Sequence, residues 1–554
     1  MSQQRMQGQP MIILGEDSQR MKDKDAQSHN ISAARAVADS VKSTLGPKGM
    51  DKMLVSSIGD VTVTNDGVTI LTEMDIDNPT AEMIVEVAEA QEEEAGDGTT
   101  TAVAIAGELL KSAEDLLEQD IHPTSIISGF NLASTKAREE IDEIAVEVDP
   151  DDEEILAKVA ETSMTGKGAE LNKDVLVGLV VEAIQRVTVE SEDGTYVPDL
   201  EFLNIHKQTG RAVSESELLA GGIVNKDPVH NDMPTDVDDA NIALLNTPVE
   251  VDETEADAQL NLDSPDQLQQ FIEQEEEQLK EMVQTIKDAG ANVVFCQKGI
   301  DDMAQHYFAR EGILAVRRVK KSDIEFLSEI LGVRVVSDID SIGADDIGSG
   351  SVARDEEEGL FYIESDAGHG ATLLLRGSTD HVVDELDRGI NDALDVVAAT
   401  VADGRVLPGG GAAEVELAGR VRDYADSVEG REQLAVEAFA DSLELVPRVL
   451  AENAGLDAID TLVDLRAAHE DGDERAGLNV YSGDVVDTFE AGVVEPAHAK
   501  QQAVSSASEA ANLVLKIDDI IAAGDLSTAG GEEEGAGGPG GGMGGMGGGM
   551  GGMM

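Results

Sequence analysis

Gly96-Asp97-Gly98-Thr99-Thr100-Thr101 is the stretch on which the reading of this chain turns. Upstream, Asn78-Pro79 reads as an N-cap followed by Pro at the first helical position. The spacing predicts a helix over roughly residues 79–95, with Gly96 as its stop. Downstream, Ala102, Val103, Ile105, Ala106, Leu109, Leu110, Ala113, Leu116 and Leu117 predict a second helix from Thr99. It is apolar on most of its circumference and belongs in a large core. The hexapeptide therefore places glycines, hydroxyls and free backbone N–H groups at the start of a buried helix. Such an end attracts an anion, because the unpaired donors and the helix dipole act together. Asp97 would repel a phosphate unless a cation lies between them, and Mg2+ takes carboxylate, phosphate and water oxygens alike. The stretch reads as a Mg-nucleotide cradle; the plain alternative is helix punctuation by a Gly-Asp-Gly turn with a Thr start.

The chain has 554 residues, too many for a single core, so about two to four domains are expected. It carries 113 Asp and Glu against 39 Lys and Arg, a formal charge of −74 spread along its length. That balance argues against nucleic acid as the main partner, since phosphate contacts need clustered Lys and Arg. Disorder would be the first alternative for so acidic a chain, but hydrophobic residues are 41% of it and fall in periodic runs. Adaptation to a very salty cytoplasm fits better. At 1 M salt the Debye length shrinks to about 3 Å and the self-repulsion is largely screened. Few lysines, no Trp and 3% aromatics agree with that. The single Cys296 rules out an internal disulfide and a cysteine metal cluster; in Val293-Val294-Phe295-Cys296 it reads as a buried strand residue. Met1-Ser2-Gln3-Gln4-Arg5 lacks a signal-peptide core, and no apolar run is long enough to span a bilayer. A soluble, cytoplasmic protein with no membrane partner is expected.

Helical spacing over 28–45 stops at Leu45-Gly46-Pro47-Lys48-Gly49, a tight loop with free amides. Met53-Leu54-Val55 and Val61-Thr62-Val63-Thr64 predict a hairpin around Ile58-Gly59-Asp60, closing on an Asn65-Asp66-Gly67 turn. One helix contains Ile155, Val159 and Ala160 and ends at Thr165-Gly166-Lys167-Gly168; another covers roughly 172–187. From about 221 to 371 the pattern alternates: strand 292–297, helix 300–311, strand 313–316, helix 321–331, strand 333–336. That alternation predicts a compact α/β domain with parallel pairing. Within it, 250–285 is an acidic insert whose helix opens at Ser264-Pro265-Asp266 and carries a thin apolar stripe, either a solvated helix or a protruding contact arm. Helical patterning returns at 378–402 and dominates to about 523, with Asn391-Asp392-Ala393-Leu394 inside a long helix and Pro408-Gly409-Gly410-Gly411 leading into the next. The Glu, Gly and Met tail at 526–554 cannot bury a core and is expected to be disordered. Glycine- and carboxylate-bearing loops thus flank a middle that lacks them. The economical organisation is a helical domain built from both chain ends, an inserted α/β domain, and a joint between them.

Taken together, Thr44-Leu45-Gly46-Pro47-Lys48-Gly49, Asn65-Asp66-Gly67, the 96–101 stretch, Asn391-Asp392-Ala393-Leu394 and Pro408-Gly409-Gly410-Gly411 resemble the chaperonin family in order and separation, over about residues 20–525. The acidic insert and Thr162-Ser163-Met164-Thr165-Gly166-Lys167-Gly168 resemble its archaeal and eukaryotic branch, group II, whose archaeal members are thermosomes; the acidity resembles a haloarchaeal one. The resemblance implies a multidomain α+β fold. A mostly helical equatorial ATPase domain would comprise 1–150 and 404–525. A small α/β hinge domain would comprise 151–220 and 372–403. An inserted α/β apical domain at 221–371 would bind substrate and carry a helical lid at about 250–285. It also implies stacked rings of identical or homologous subunits that enclose non-native protein clients.

The resemblance further implies ATP and Mg2+ as cofactors, with K+ a further candidate. Thr44, Leu45, Gly46, Pro47, Asn65 and the amides of Asp97, Gly98, Thr99, Thr100 and Thr101 would hold the nucleotide, chiefly its phosphates. Asp97 would bind Mg2+. Asp392 would orient or deprotonate the attacking water, with Asp66 assisting, so that hydrolysis waits on hinge closure. Lys167 would sense the γ-phosphate; its plain reading is a solvated loop lysine. Gly410, Asn479 and Glu495 would border the base and ribose. Many relatives carry Asp where Glu495 stands; the longer carboxylate would still reach a ribose hydroxyl. Alone, Asp66 would be an ordinary turn residue and Asp392 a water-facing helix residue. The function expected is ATP-driven folding in a closed chamber. A passive holdase or scaffold with a non-cycling nucleotide site, or a small-molecule kinase, are the competing classes.

Overall fold

Asn78 shows how local chemistry sets the helix boundaries. Its side-chain oxygen accepts from the backbone N–H of Thr80 at 2.9 Å and of Ala81 at 3.2 Å, Pro79 occupies the first helical position, and Gly96 at φ 64° ends the helix Pro79–Ala95. The structure is a computed structural model that describes residues 20–22, 24–56, 59, 61–166, 172–191, 194–251, 265–365 and 370–521. The expected tail at 526–554, Lys167, the hairpin tip residues Ile58 and Asp60, and residues 252–264 of the acidic insert lie outside them. The chain ends form one unit, in which strand Arg20–Lys22 pairs antiparallel with Asp519–Ile521. Residues 30–516 form the other.

Among the described residues of 30–516 there are three large apolar cores. The first joins helices Pro79–Ala95, Thr99–Glu118 and Pro123–Ile144 to Ala412–Ala425, Glu432–Leu443 and Ala497–Leu515. Phe130 and Phe439 meet edge to face at 6.0 Å between ring centres and tie the two chain halves together. Thr99–Glu118 is buried nearly all round, as its apolar circumference predicts. The second core packs helices Glu153–Met164, Lys173–Val187 and Asp380–Asp403 against parallel strands Leu203–Thr209 and Ala371–Gly377. The third lies on a six-stranded sheet in the order Leu314–Val316, Val293–Cys296, Val237–Leu245, Ile347–Asp355, Leu360–Glu364, Gly221–Asn225. Cys296 is buried in it.

The sheet domain departs from the sequence expectations in three places. The sheet is mixed: its first three strands pair parallel, but Ile347–Asp355 and Leu360–Glu364 are joined by a short turn and must run antiparallel. The run 333–336 forms no strand. After Gly332 turns left-handed at φ 64°, Val336 makes a single bridge to Leu245. The insert helix, Pro265–Asp288, buries Leu279, Val283 and Ile286 in the sheet core, so its C-terminal half is part of the domain rather than an arm. The rear helical region also contains short strands. Arg405–Pro408 pairs with Val494–Pro496, setting Leu407 opposite Glu495. The fold is a multidomain α+β one.

Candidate nucleotide site

The start of helix Thr99–Glu118 is shaped by two left-handed glycines, Gly96 (φ 64°) and Gly98 (φ 82°), and no side chain caps it. Its first amides are therefore available to an anion. Gln91, fully buried in the preceding helix, donates to the carbonyl of Asp97 at 2.8 Å and to that of Ala499 at 3.1 Å, fixing the turn against helix Ala497–Leu515. Gly67 packs on this helix start: a Cβ there would lie 2.5 Å from Thr100 Oγ1 and 3.2 Å from Thr99 Oγ1. Asn65-Asp66-Gly67, expected from sequence as a turn, leads directly into a helix. Asp66 N-caps the helix Gly67–Glu73, accepting from the Thr69 N–H at 2.7 Å, because the buried apolar pair Ile70 and Leu71 draws the chain directly into a helix.

The second wall is the 44–49 loop. Thr44 closes a single 3-10 turn, Gly46 stands at φ 77°, and the Gly49 N–H donates to the Gly46 carbonyl at 2.9 Å. Asn453 Nδ2 holds the loop by donating to the carbonyls of Lys42 at 3.2 Å and Leu45 at 2.9 Å. Asn65 Nδ2 donates to the Gly166 carbonyl at 2.9 Å, and Gly166 lies directly over Pro47. The end of helix Glu153–Met164 is thereby laid on the loop.

The third wall comes from the rear half. Gly410 is left-handed at φ 65°, and its carbonyl accepts from the Leu478 N–H at 2.9 Å. Asn479 Oδ1 accepts from the N–H groups of Tyr481 at 3.0 Å and Ser482 at 3.2 Å, so that oxygen is committed to a turn. Glu495 Oε2 pairs with Lys500 Nζ at 2.6 Å, and Lys500 also pairs with the buried Glu414. Burial pushes the Glu495 carboxyl above its ordinary range; Lys500 opposes this, and Glu414 and Asp97 add to it. Burial works against the Lys500 charge, but Glu414 and Glu495 override it and hold its pKa raised.

These walls enclose a cleft of about 590 Å³. It is lined by Thr44, Leu45, Gly46, Pro47, Asn65, Asp66, Asp97, Gly98, Thr99, Thr100, Thr101, Gly410, Asn479 and Glu495. Asp392 is not in its lining. It sits on helix Asp380–Asp403, one turn from Asp395, whose Cβ blocks the space where Gly96 would carry a side chain. Partial desolvation, then the carboxylate of Asp392, push Asp395 up to about 6. Lysines 500 and 173 also line the cleft, the latter paired with Glu161 at 3.3 Å and with Thr165. Neither was read from sequence. A lone charged residue among the small residues of Ala497-His498-Ala499-Lys500 was the available signal. Among the described residues no three His, Cys, Asp or Glu converge as a metal cage. Asp97, one carboxylate beside open amides, fits an ion such as Mg2+ that takes the rest of its ligands from phosphate and water.

The TCP-1/cpn60 chaperonin family matches residues 37–525. Thermosome subunit 2 of Haloferax volcanii is 74% identical over 530 residues, 95% of either chain. Thermosome subunit beta of Halobacterium salinarum is 73% identical over 529 residues, again 95% of either. Among solved structures, the open-state monomer of a group II chaperonin from Methanococcoides burtonii aligns with a TM-score of 0.61 at 44% identity, covering 76% of this chain and all of that one. These matches define the class as a chaperonin, as the motifs predicted. The chain belongs to the TCP-1/cpn60 chaperonin family, in its group II thermosome branch.

Proposed function

We propose that the cleft binds and hydrolyses Mg·ATP, and that the chain is the ATPase subunit of a chaperone that assists the folding of non-native proteins. One observation carries this: three separate glycine turns and the uncapped start of a buried helix face one cleft, with the Asp97 carboxylate at that helix start. Phosphoryl transfer needs little covalent chemistry from a protein; it needs positioning and charge stabilisation. Mg2+ bound at Asp97 would neutralise phosphate charge. The amides of 97–101 and the Gly46-Pro47 loop would hold the phosphate oxygens. Asp66 keeps one carboxylate oxygen on the Thr69 amide, leaving the other to help orient water. Gly410, Asn479 and Glu495 would face the base and ribose.

Asp392 would orient or deprotonate the water. It lies outside the cleft wall, so that role requires helix Asp380–Asp403 to advance, which couples turnover to movement of the element. Lys167 would report the γ-phosphate from the same hinge domain. The three cores accord with an equatorial domain (1–150, 404–525), a hinge domain (151–220, 372–403) and an apical domain (221–371). A lid centred on the insert, stacked rings of like subunits, K+ as an additional ion, and a cytoplasmic location without nucleic-acid or membrane partners complete the proposal. No helix among the described residues is long and apolar enough to cross a membrane. The test is refolding of a denatured client by the purified protein in high salt, with and without Mg·ATP. ATP-dependent recovery of client activity is expected. Equal recovery without ATP would reduce the protein to a holdase.

A further inference from the structure

We infer that Lys500, pinned by Glu414, is the positioning residue that presents Glu495 to the nucleotide sugar and so sets a preference for ribose over deoxyribose. The inference rests on the cleft being a nucleotide site and goes beyond it by assigning sugar selectivity to a buried ion triad.

The helix that bears Lys500 buries Ala497, Ala499 and Ala503 around it, and the Lys500 side chain is only 11% exposed. A cation placed there is costly unless it is paired and hydrogen-bonded. Its partners come from two other elements. Glu414 belongs to the first turn of helix Ala412–Ala425, which follows the Gly409-Gly410-Gly411 turn, and its side chain is 3% exposed. Glu495 belongs to strand Val494–Pro496 on the cleft side and is 25% exposed. Two carboxylates on one ammonium leave a net negative charge. They also leave Glu414 Oε2 buried with no hydrogen-bond partner. For stability alone, apolar side chains would do as well or better. The cost is consistent with a geometric role.

That role is visible in the Glu495 oxygens. Oε2 is held by Lys500 at 2.6 Å. Oε1 is turned over Gly409, where a Cβ would lie 2.7 Å away, so only glycine leaves room for it. One oxygen is thus anchored by Lys500 and the other lies against Gly409, while Glu495 itself lines the cleft. Lys500 itself is a poor phosphate ligand, because its charge is already exceeded by its two partners. A net-negative triad repels phosphate, but it suits a neutral group that donates hydrogen bonds. A ribose hydroxyl is such a donor. Lys500 opposes the burial that pushes Glu495 toward its neutral form.

The experiment compares kcat/KM for ATP, 2′-deoxy-ATP and 3′-deoxy-ATP in the assembled full-length protein at high salt. Losing a hydrogen bond to a charged group costs on the order of tenfold in binding, so the wild type is expected to prefer ATP over one deoxy analogue by about that factor, expressed in KM. Lys500→Met and Glu495→Gln are expected to bring that ratio within about twofold of unity. Lys500→Met strands two buried carboxylates. Glu414→Gln is the variant that leaves a neutral Lys500–Glu495 pair and weakens the pin on Lys500 from an ion pair to a hydrogen bond with a neutral amide oxygen. It is expected to lose most of the discrimination and decides alone if Lys500→Met does not assemble. A folded Glu414→Gln protein with the wild-type ratio would overturn the inference, as would a wild type that turns over ATP without distinguishing the sugars. A wild type that binds no ATP would instead overturn the nucleotide assignment itself.

Discussion

Replacing Gly67 by Ala places one methyl group at the junction of two walls of the cleft. The added Cβ would lie 2.5 Å from Thr100 Oγ1 and 3.2 Å from Thr99 Oγ1. Gly67 is buried and is not among the glycines with positive φ, so alanine suits its backbone and the effect is steric alone. Relief requires the Asp66 turn to retreat from helix Thr99–Glu118 by roughly half an ångström or more, or the Thr100 side chain to turn away. Overpacking of this kind costs about 1–3 kcal/mol, a modest loss for a core of this size. Catalysis is more sensitive, since displacements near 1 Å can cost about a hundredfold. Gly67→Ala is therefore expected to lower kcat for ATP hydrolysis by about ten- to a hundredfold while the protein stays assembled. Steady-state ATPase kinetics and a melting curve, both in high salt, supply the readouts. Gly178→Ala is the control: it sits in helix Lys173–Val187 with nothing within 4 Å of the new Cβ, and should gain about 0.5–1 kcal/mol without touching turnover. A folded Gly67→Ala protein with kcat within about threefold of wild type would refute the steric reasoning and the place of this junction in the chemistry.

Asp392→Ala is expected to bind ATP but to lose turnover by at least about a hundredfold, measured by nucleotide binding beside ATPase rate; near-normal turnover would remove Asp392 from the mechanism. Asp395, pushed up to about 6, binds its proton more tightly in the folded than in the unfolded chain, so its contribution is favourable below the ordinary carboxylate range and is lost as pH rises through about 6. Asp395→Asn should therefore raise the melting temperature at pH 7.5 and make no difference below about pH 4, by no more than about 1 kcal/mol because the side chain keeps solvent contact. With a formal charge of −74, the wild type should lose ellipticity or dissociate as salt is removed, followed by circular dichroism and gel filtration; full native structure in dilute buffer would oppose halophilic adaptation. Phe439→Ala, which removes one ring of the pair joining the chain halves, should cost about 3–5 kcal/mol, read from its melting curve.

Features set by neighbours in sequence were legible. Asn78, Pro79 and Gly96 bounded their helix because capping is chemistry between residues a few positions apart. The glycine turns and Asp97 stood out because open amides at a buried helix start have a recognisable composition, and they do share one cleft. Asp66 was harder: an aspartate in a turn and an aspartate capping a helix both accept a nearby backbone N–H, so the local signal is the same. Val333-Arg334-Val335-Val336 has strand composition, but pairing depends on a partner far along the chain, and only Val336 reaches one. Glu414 and Lys500 lie 86 residues apart and meet only through the packing of two helices, so no pattern in either segment announced their pairing. Asp392 stands out only through the family pattern, and nothing local in the sequence says that its helix stands behind the Gly96 turn with Asp395 in contact.

The most direct test is a structure of the protein with Mg2+ and a non-hydrolysable ATP analogue in high salt. The triphosphate is expected in the cleft, over the amides of 97–101 and against the Gly46-Pro47 loop, with the ion on Asp97 and Asp392 drawn in toward the terminal phosphate. A nucleotide bound elsewhere, or one in the cleft whose ion leaves Asp97 untouched, would contradict it.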